Sequence, residues 1–166
     1  MDLSDASFGG MVPPYIGNLS RLSHLGLATS LYPYSLWVSN LHWLSNLYSL
    51  QYLNFKGINL SSSASYWLQA INMLPSLSEL DLSGCELPNL PQRLPFVNFT
   101  SLRVLTFSRN NFVSPIPTWV LNISTIEELG FYSSQLTGNI PEVAPGKLCN
   151  LQILDLSVND LTGSIN

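Results

Sequence analysis

Groups able to do chemistry are sparse in this chain, and their spacing argues against joint action. Glu127 and Glu128 are adjacent carboxylates. On a strand, neighbours point to opposite faces, so the two cannot serve one substrate as an acid and base pair. His24 and His42 fall in different segments, and no serine or cysteine sits on a strand-to-helix elbow that would make it a nucleophile. Cys85 and Cys149 lie 64 residues apart, match no metal or redox spacing, and read as two buried small hydrophobes. Neither a phosphate-cradling glycine loop nor a basic aromatic groove appears, and a net charge of −4 supplies no stripe for nucleic acid. No catalytic residue, cofactor or metal is expected.

One chemistry is specified, and it is modification. Asn18-Leu19-Ser20, Asn59-Leu60-Ser61, Asn98-Phe99-Thr100 and Asn122-Ile123-Ser124 are four N-glycan acceptor sequences. They point to passage through the secretory route. The opening Met-Asp-Leu-Ser has no basic or apolar leader, and no apolar run reaches the roughly 18–20 residues that cross a bilayer. The stretch is therefore expected to carry neither leader nor anchor of its own.

The elements that must position these residues follow from a period. With 166 residues and 46% apolar content the chain can bury a core, while only 10% of it is charged. "HLGL" at 24–27, "YLNF" at 52–55, "ELDL" at 79–82, "VLTF" at 104–107, "ELGF" at 128–131 and "ILDL" at 153–156 align, with Met1-Asp2-Leu3 as a further copy. Their first apolar positions, from Met1 to Leu154, are spaced by 24, 28, 27, 25, 24 and 25 residues, which gives about seven units over 1–166. Alternation through Leu154 and Leu156 predicts a short strand with one buried face, near 25–27, 53–55, 80–82, 105–107, 129–131 and 154–156. Since no unit can bury its apolar side alone, the units must stack into a parallel sheet around a shared core.

Each unit then needs the same exit. Asn110 and Asn159 stand where an asparagine can bond the backbone groups left unpaired as the chain leaves the strand. Ala6, Ser30, Ile58, Cys85 and Ser134 fill that position elsewhere, so looser turns are expected in the first three units. A Gly-x-Ile/Val-Pro bend follows as Gly10-Met11-Val12-Pro13 and Gly138-Asn139-Ile140-Pro141, is degraded at 114–117, and is cut short at Gly163-Ser164-Ile165. Two units carry longer inserts, 31–47 and 61–77; apolar spacing in the second predicts a short helix at about 65–73. Residues 86–96 read as an extended proline-punctuated loop, and Trp37, Trp43, Trp67 and Trp119 as packing on the convex side.

Strand residues flanking the buried leucines face outward on the concave side. They are Asp2, Asp5, His24, Tyr52, Asn54, Lys56, Glu79, Asp81, Thr106, Arg109, Glu128, Tyr132, Asp155 and Val158. Six of the ten acids fall in this set against two of the six bases, which would draw a basic peptide or protein patch. The same aspartates also belong to the repeat itself and can simply mark a solvated face. Tyr52 and Tyr132 are the leading affinity anchors.

The L-T-G-x-I-P form of the repeat, as in "LTGNIPE" at 136–142, resembles the plant extracellular leucine-rich repeat group. "SYWLQAINMLPSLSELDLSGCELP" at 65–88, "PFVNFTSLRVLTFSRNNF" at 95–112 and "GKLCNLQILDLS" at 146–157 are similar to its membrane-anchored receptor-like proteins, the ethylene-inducing xylanase receptor group. This resemblance implies an α/β leucine-rich repeat solenoid, a right-handed superhelix with a concave parallel sheet and short helices or loops on the convex side. It also implies a cell-surface immune receptor ectodomain that binds a protein or peptide ligand and signals through a co-receptor kinase at the plasma membrane. The terminal caps, acidic juxtamembrane segment and membrane helix of that group are not in the sequence, which reads as a fragment or truncated product. A secreted inhibitor of microbial cell-wall-degrading enzymes and a non-functional remnant are the alternatives; the long inserts favour the receptor group.

Overall fold

The computed structural model describes residues 1–30, 35–142, 144 and 146–163. Its strands, in chain order, are β1 (Gly10–Met11), β2 (His24–Gly26), β3 (Leu36–Trp37), β4 (Tyr52–Asn54), β5 (Glu79–Asp81), β6 (Val104–Thr106), β7 (Glu128–Gly130), β8 (Thr137–Asn139), β9 (Ile153–Asp155) and β10 (Asp160–Thr162). Six of them form one sheet, in the order β2-β4-β5-β6-β7-β9, with every pair parallel. Leu25, Leu53, Leu80, Leu105, Leu129 and Leu154 are partners rung by rung, so there is no slip between units. The strands start one residue earlier than the leucine alternation suggests, because the residue before each leucine already joins the ladder. Bonding also continues past the strand ends, as in Leu27 N–H to Asn54 O at 2.9 Å and Thr29 N–H to Lys56 O at 2.8 Å.

Parallel neighbours require the chain to return along the other side, and a repeat of 24–28 residues leaves little room for that return. The return is made by 3-10 turns at Pro14–Asn18, His42–Asn46, Ser61–Ser63 and Val120–Asn122, and by one helix, α1 (Trp67–Asn72), inside the expected 65–73 window. Between the two sides lies a single core. Phe55, Phe107 and Phe131 are fully buried one position past the strands, and Trp67 meets Phe107 edge-on at 5.2 Å. Burying side chains of this size contributes about 1.5–3 kcal/mol each.

The turn position explains how the units are tied together. The Asn110 amide donates to Leu82 O (2.9 Å) and Phe107 O (2.8 Å) and accepts from the N–H groups of Cys85 (3.0 Å) and Leu87 (3.2 Å). Asn159 repeats the pattern onto Phe131 O, Leu156 O and the N–H groups of Ser134 and Leu136. Cys85 and Ser134 hold the donor half of the role, reaching Phe55 O at 3.1 Å and Phe107 O at 3.0 Å in the preceding unit. Ile58 cannot; its turn is closed instead by its own N–H to Phe55 O at 2.9 Å. Burial pushes the Cys85 thiol well above its ordinary range, as suits a structural thiol.

Three expectations need correction. Cys149 is exposed, because it lies on the surface turn before β9 rather than at an inward repeat position. Trp37 sits in β3 and is 44% exposed, whereas Trp43, Trp67 and Trp119 are buried. The Gly-x-Ile/Val-Pro segments also do more than bend. They build two further short parallel pairs, β1 on β3 and β8 on β10, extended respectively by the bridges Trp37–Asn59 and Ser114–Leu136. Gly10 and Gly138 take φ of 98° and 76° there, a region that disfavours side chains. The copy at Gly163-Ser164-Ile165 lies outside the described residues beyond Gly163, as does the start of the 31–47 insert.

Candidate protein-binding face

In-register pairing sorts the outward side chains of the six-stranded sheet into straight rows. The first row is His24, Tyr52, Glu79, Val104, Glu128 and Ile153; the second is Gly26, Asn54, Asp81, Thr106, Gly130 and Asp155, with Asp2 bridged to Gly26. One step further on, Lys56 and Tyr132 occupy equivalent positions. Arg109 and Val158 follow them at the rim, with φ of 58° and 57°, where Gly57 and Gly84 stand in other units. The sheet thus brings Tyr52, Glu79 and Glu128 into one line and Asn54, Asp81 and Asp155 into the next, and sets Arg109 at the edge.

The contacts within these rows separate structural groups from free ones. Asp81 and Asp155 each accept the N–H two residues on, from Ser83 at 2.8 Å and Ser157 at 3.0 Å, and Asn54 does the same with Lys56 at 3.0 Å. This turn bond recurs wherever the repeat places Asp or Asn there, which favours the solvated-face reading for the second row. Hydrogen bonds from Ser157, side chain first, hold the Asp155 carboxyl below the usual carboxylate range. In the first row, the His24 and Tyr52 rings stack at 5.9 Å, and Asn54 Nδ2 donates to Tyr52 Oη at 3.1 Å. The Arg109 guanidinium lies 5.7 Å from the centre of the Tyr132 ring. Beside it, Glu86, Pro88, Arg109, Asn111, Ser133 and Gln135 line a polar depression of about 350 Å³.

Behind the first row, Arg103 grips Glu127 through two bonds of 2.7 Å, Nε to Oε1 and Nη2 to Oε2. The hydrogen bonds from Arg103 hold the Glu127 carboxyl below its ordinary 4.5, so the folded value lies under the unfolded one. The pair's contribution is therefore complete above that ordinary value and lost as pH falls through the folded one. Both side chains are solvated, so the contribution is small and screened by salt. Glu127→Gln is expected to leave the urea midpoint at pH 7 little changed and to remove part of its decline toward pH 3. Denaturation at both pH values, in low and high salt, checks this.

The sequence reading picked out the charged and aromatic members of the rows and missed their apolar members, Val104 and the 53% exposed Ile153. Both immediately precede a strand leucine, as Tyr52 and Glu79 do, so repeat position alone would have found them. Among the described residues, no cluster of three His, Cys, Asp or Glu could hold a metal, and no helix is long and apolar enough to cross a membrane.

Residues 101–123 match the Leucine Rich Repeat family model. Over 164 residues the chain is 37% identical to receptor-like protein EIX1 of Solanum lycopersicum; that alignment covers 96% of this chain and 15% of the tomato protein. Among solved structures, a TDR receptor superposes with a TM-score of 0.73 at 29% identity, over 95% of this chain and 26% of that one. The Arabidopsis receptor kinase HAESA, solved in complex with the peptide hormone IDA and the co-receptor SERK1, gives 0.73 at 26% identity, over 96% and 25% of the two chains.

Proposed function

Because this chain is a leucine-rich repeat solenoid of the plant receptor-like kind, we propose that its concave sheet recognises a protein or peptide ligand on the extracellular side of the plasma membrane. In this reading it is part of a receptor for microbial elicitors, and defence signalling runs through a partner co-receptor kinase. The observation that carries the reading is the first row: the stacked His24 and Tyr52 rings and the carboxylates of Glu79 and Glu128 stand in one solvent-facing line. Recognition needs such a rigid, pre-ordered array, since little side-chain freedom is then lost on binding. HAESA supports a peptide ligand and a co-receptor by likeness of fold and sequence. The 28- and 27-residue spacings of the inserted units support the receptor group over a uniform secreted inhibitor.

The test is a bead-displayed array of basic and acidic extracellular peptides and of secreted fungal proteins, read against this chain and its variants. Tyr52→Ala and Tyr132→Ala are each expected to weaken a captured ligand at least tenfold, about 1.4 kcal/mol, with thermal midpoints unchanged. Glu79→Gln and Glu128→Gln should cost more with basic ligands than with acidic ones. Binding that survives all four substitutions and is lost on changing the convex side would reject this assignment.

A further inference from the structure

The two short strand pairs that flank the main sheet leave one unit between them bare. The first ends with the bridge at Asn59 and the second begins with the one at Ser114, while residues 82–103, which follow β5, add no strand or bridge. Instead the loop 86–96 is held by buried tryptophans of the units on either side. Trp67 Nε1 donates to Asn89 O at 3.2 Å and Trp119 Nε1 to Pro91 O at 2.7 Å. Gln92 Nε2 adds a bond to Pro115 O at 3.1 Å. The polar depression of about 350 Å³ opens where this flanking strand is missing, with the buried Asn110 at its base.

The backbone around this depression is strained. Glu86, Arg109, Ser133 and Gln135 line it with φ of 57°, 58°, 52° and 54°, the left-handed region that disfavours a side chain. Arg109 and Ser133 stand where other units have Gly57 and Gly84, so each keeps a side chain on backbone that glycine fits better. These side chains gain little within the fold. Asn111, Ser133 and Gln135 make no side-chain hydrogen bond among the described residues, and Arg109 is steadied by the Tyr132 ring at 5.7 Å. Strain gathered around one depression, with its polar groups unspent, points to a ligand rather than to folding.

The lining narrows the kind of ligand. Its edge is unsuited to an added peptide strand, because Pro88 and Pro115 lack an N–H and Glu86 and Val113, with φ of 57° and 44°, are not extended. An apolar anchor finds only the Pro88 ring, and one cation, Arg109, set against one anion, Glu86, gives no net field for a charged partner. Hydroxyl groups fit better, since they donate and accept at once and so match carboxylate, guanidinium and amides alike. Vicinal hydroxyls also present a two-point edge that the planar groups of Asn111, Gln135 and Arg109 can engage side-on. We propose that this depression is a binding site for a neutral saccharide, free or carried by a glycoprotein, held by Glu86, Arg109, Asn111, Ser133 and Gln135. It enlarges the recognition surface proposed above and rests on that reading only for its access to extracellular ligands.

The experiment passes the chain over immobilised neutral oligosaccharides of glucose, mannose, xylose and N-acetylglucosamine, over uronic-acid oligosaccharides, and over a glycoprotein before and after enzymatic deglycosylation. At least one neutral series is expected to bind and to be competed by the same sugar in solution; capture of the glycoprotein alone, lost on deglycosylation, identifies the protein-borne source. Affinity should change less than about twofold between roughly 0.05 and 0.5 M salt, because no net charge is matched. Asn111→Ala and Gln135→Ala should each weaken binding at least about fivefold with the thermal midpoint unchanged. Arg109→Gly should weaken it as much and leave the midpoint equal or higher, since glycine suits a φ of 58°. Failure of every neutral sugar and of the glycoprotein, preference for uronic acids with steep salt dependence, or full binding by the Asn111→Ala, Gln135→Ala double variant would overturn the site. No peptide is present in this assay, so its failure leaves the concave-face reading to be judged on its own array.

Discussion

Asn110→Leu is expected to lower the unfolding free energy by about 3–6 kcal/mol, a large share of the roughly 5–15 kcal/mol that holds a domain of this size folded. The side chain is buried, and leucine keeps its four heavy atoms and its branch at Cγ, so no cavity is opened. What is lost is partners. Leu82 O, Cys85 N–H and Leu87 N–H are left inside without a replacement bond, at about 1–3 kcal/mol each, whereas Phe107 O keeps the Ser134 hydroxyl at 3.0 Å. Asn159 makes the equivalent bonds in a half-buried setting, where water can replace them. Asn159→Leu should therefore cost clearly less. Urea midpoints of the two variants decide the matter: equal losses would show that burial does not set the weight of this side chain.

Trp67→Ala is expected to cost about 3–5 kcal/mol, the range for truncating a fully buried large aromatic. Its effect should also be uneven along the chain. Trp67 opens α1, sits edge-on to Phe107 two units away, and donates from Nε1 to Asn89 O at 3.2 Å, which pins the proline-punctuated loop. Stacked units communicate through nearest-neighbour interfaces, so amides of β4, β5 and β6 should lose exchange protection first, while β2 and β9 keep theirs. Uniform loss of protection, or a midpoint shift equivalent to less than about 1 kcal/mol, would show that this ring is not what joins the middle units.

The leucine columns were legible because burial imposes a period, and a period survives any substitution at single positions. Turn residues were half legible: Cys85 was recognised as an occupant of the asparagine position, but its bond to Phe55 O depends on a neighbour 30 residues back. The flanking strand pairs were not legible, because β8 and β10 are three residues each and largely exposed, with Leu161 their one apolar side chain packed on the core, too little for an alternation. Arg103 and Glu127 could have been paired in advance, since they lie 24 residues apart, one repeat, at the same position in successive units. The exposure of Cys149 could also have been read in advance, since it stands five residues before Leu154, where Ser20, Thr100 and Ser124 stand in other units; that of Trp37, inside a long insert, had no such signal.

The zero-slip pairing of the six strands also sets a ruler for whatever lies across them. Marks on this ruler come every 4.8 Å or so, the distance between hydrogen-bonded strands, while an extended peptide offers a side chain to the same surface about every 6.6 Å. The two scales coincide only where four strands match six residues, about 19 against 20 Å. Four strand-to-strand steps separate His24 from Glu128, and Tyr52 from Ile153. A straight ligand crossing the first row can thus seat side chains squarely at such a pair and must straddle the positions between. Its specificity is then written as two words six residues apart, not as a continuous text.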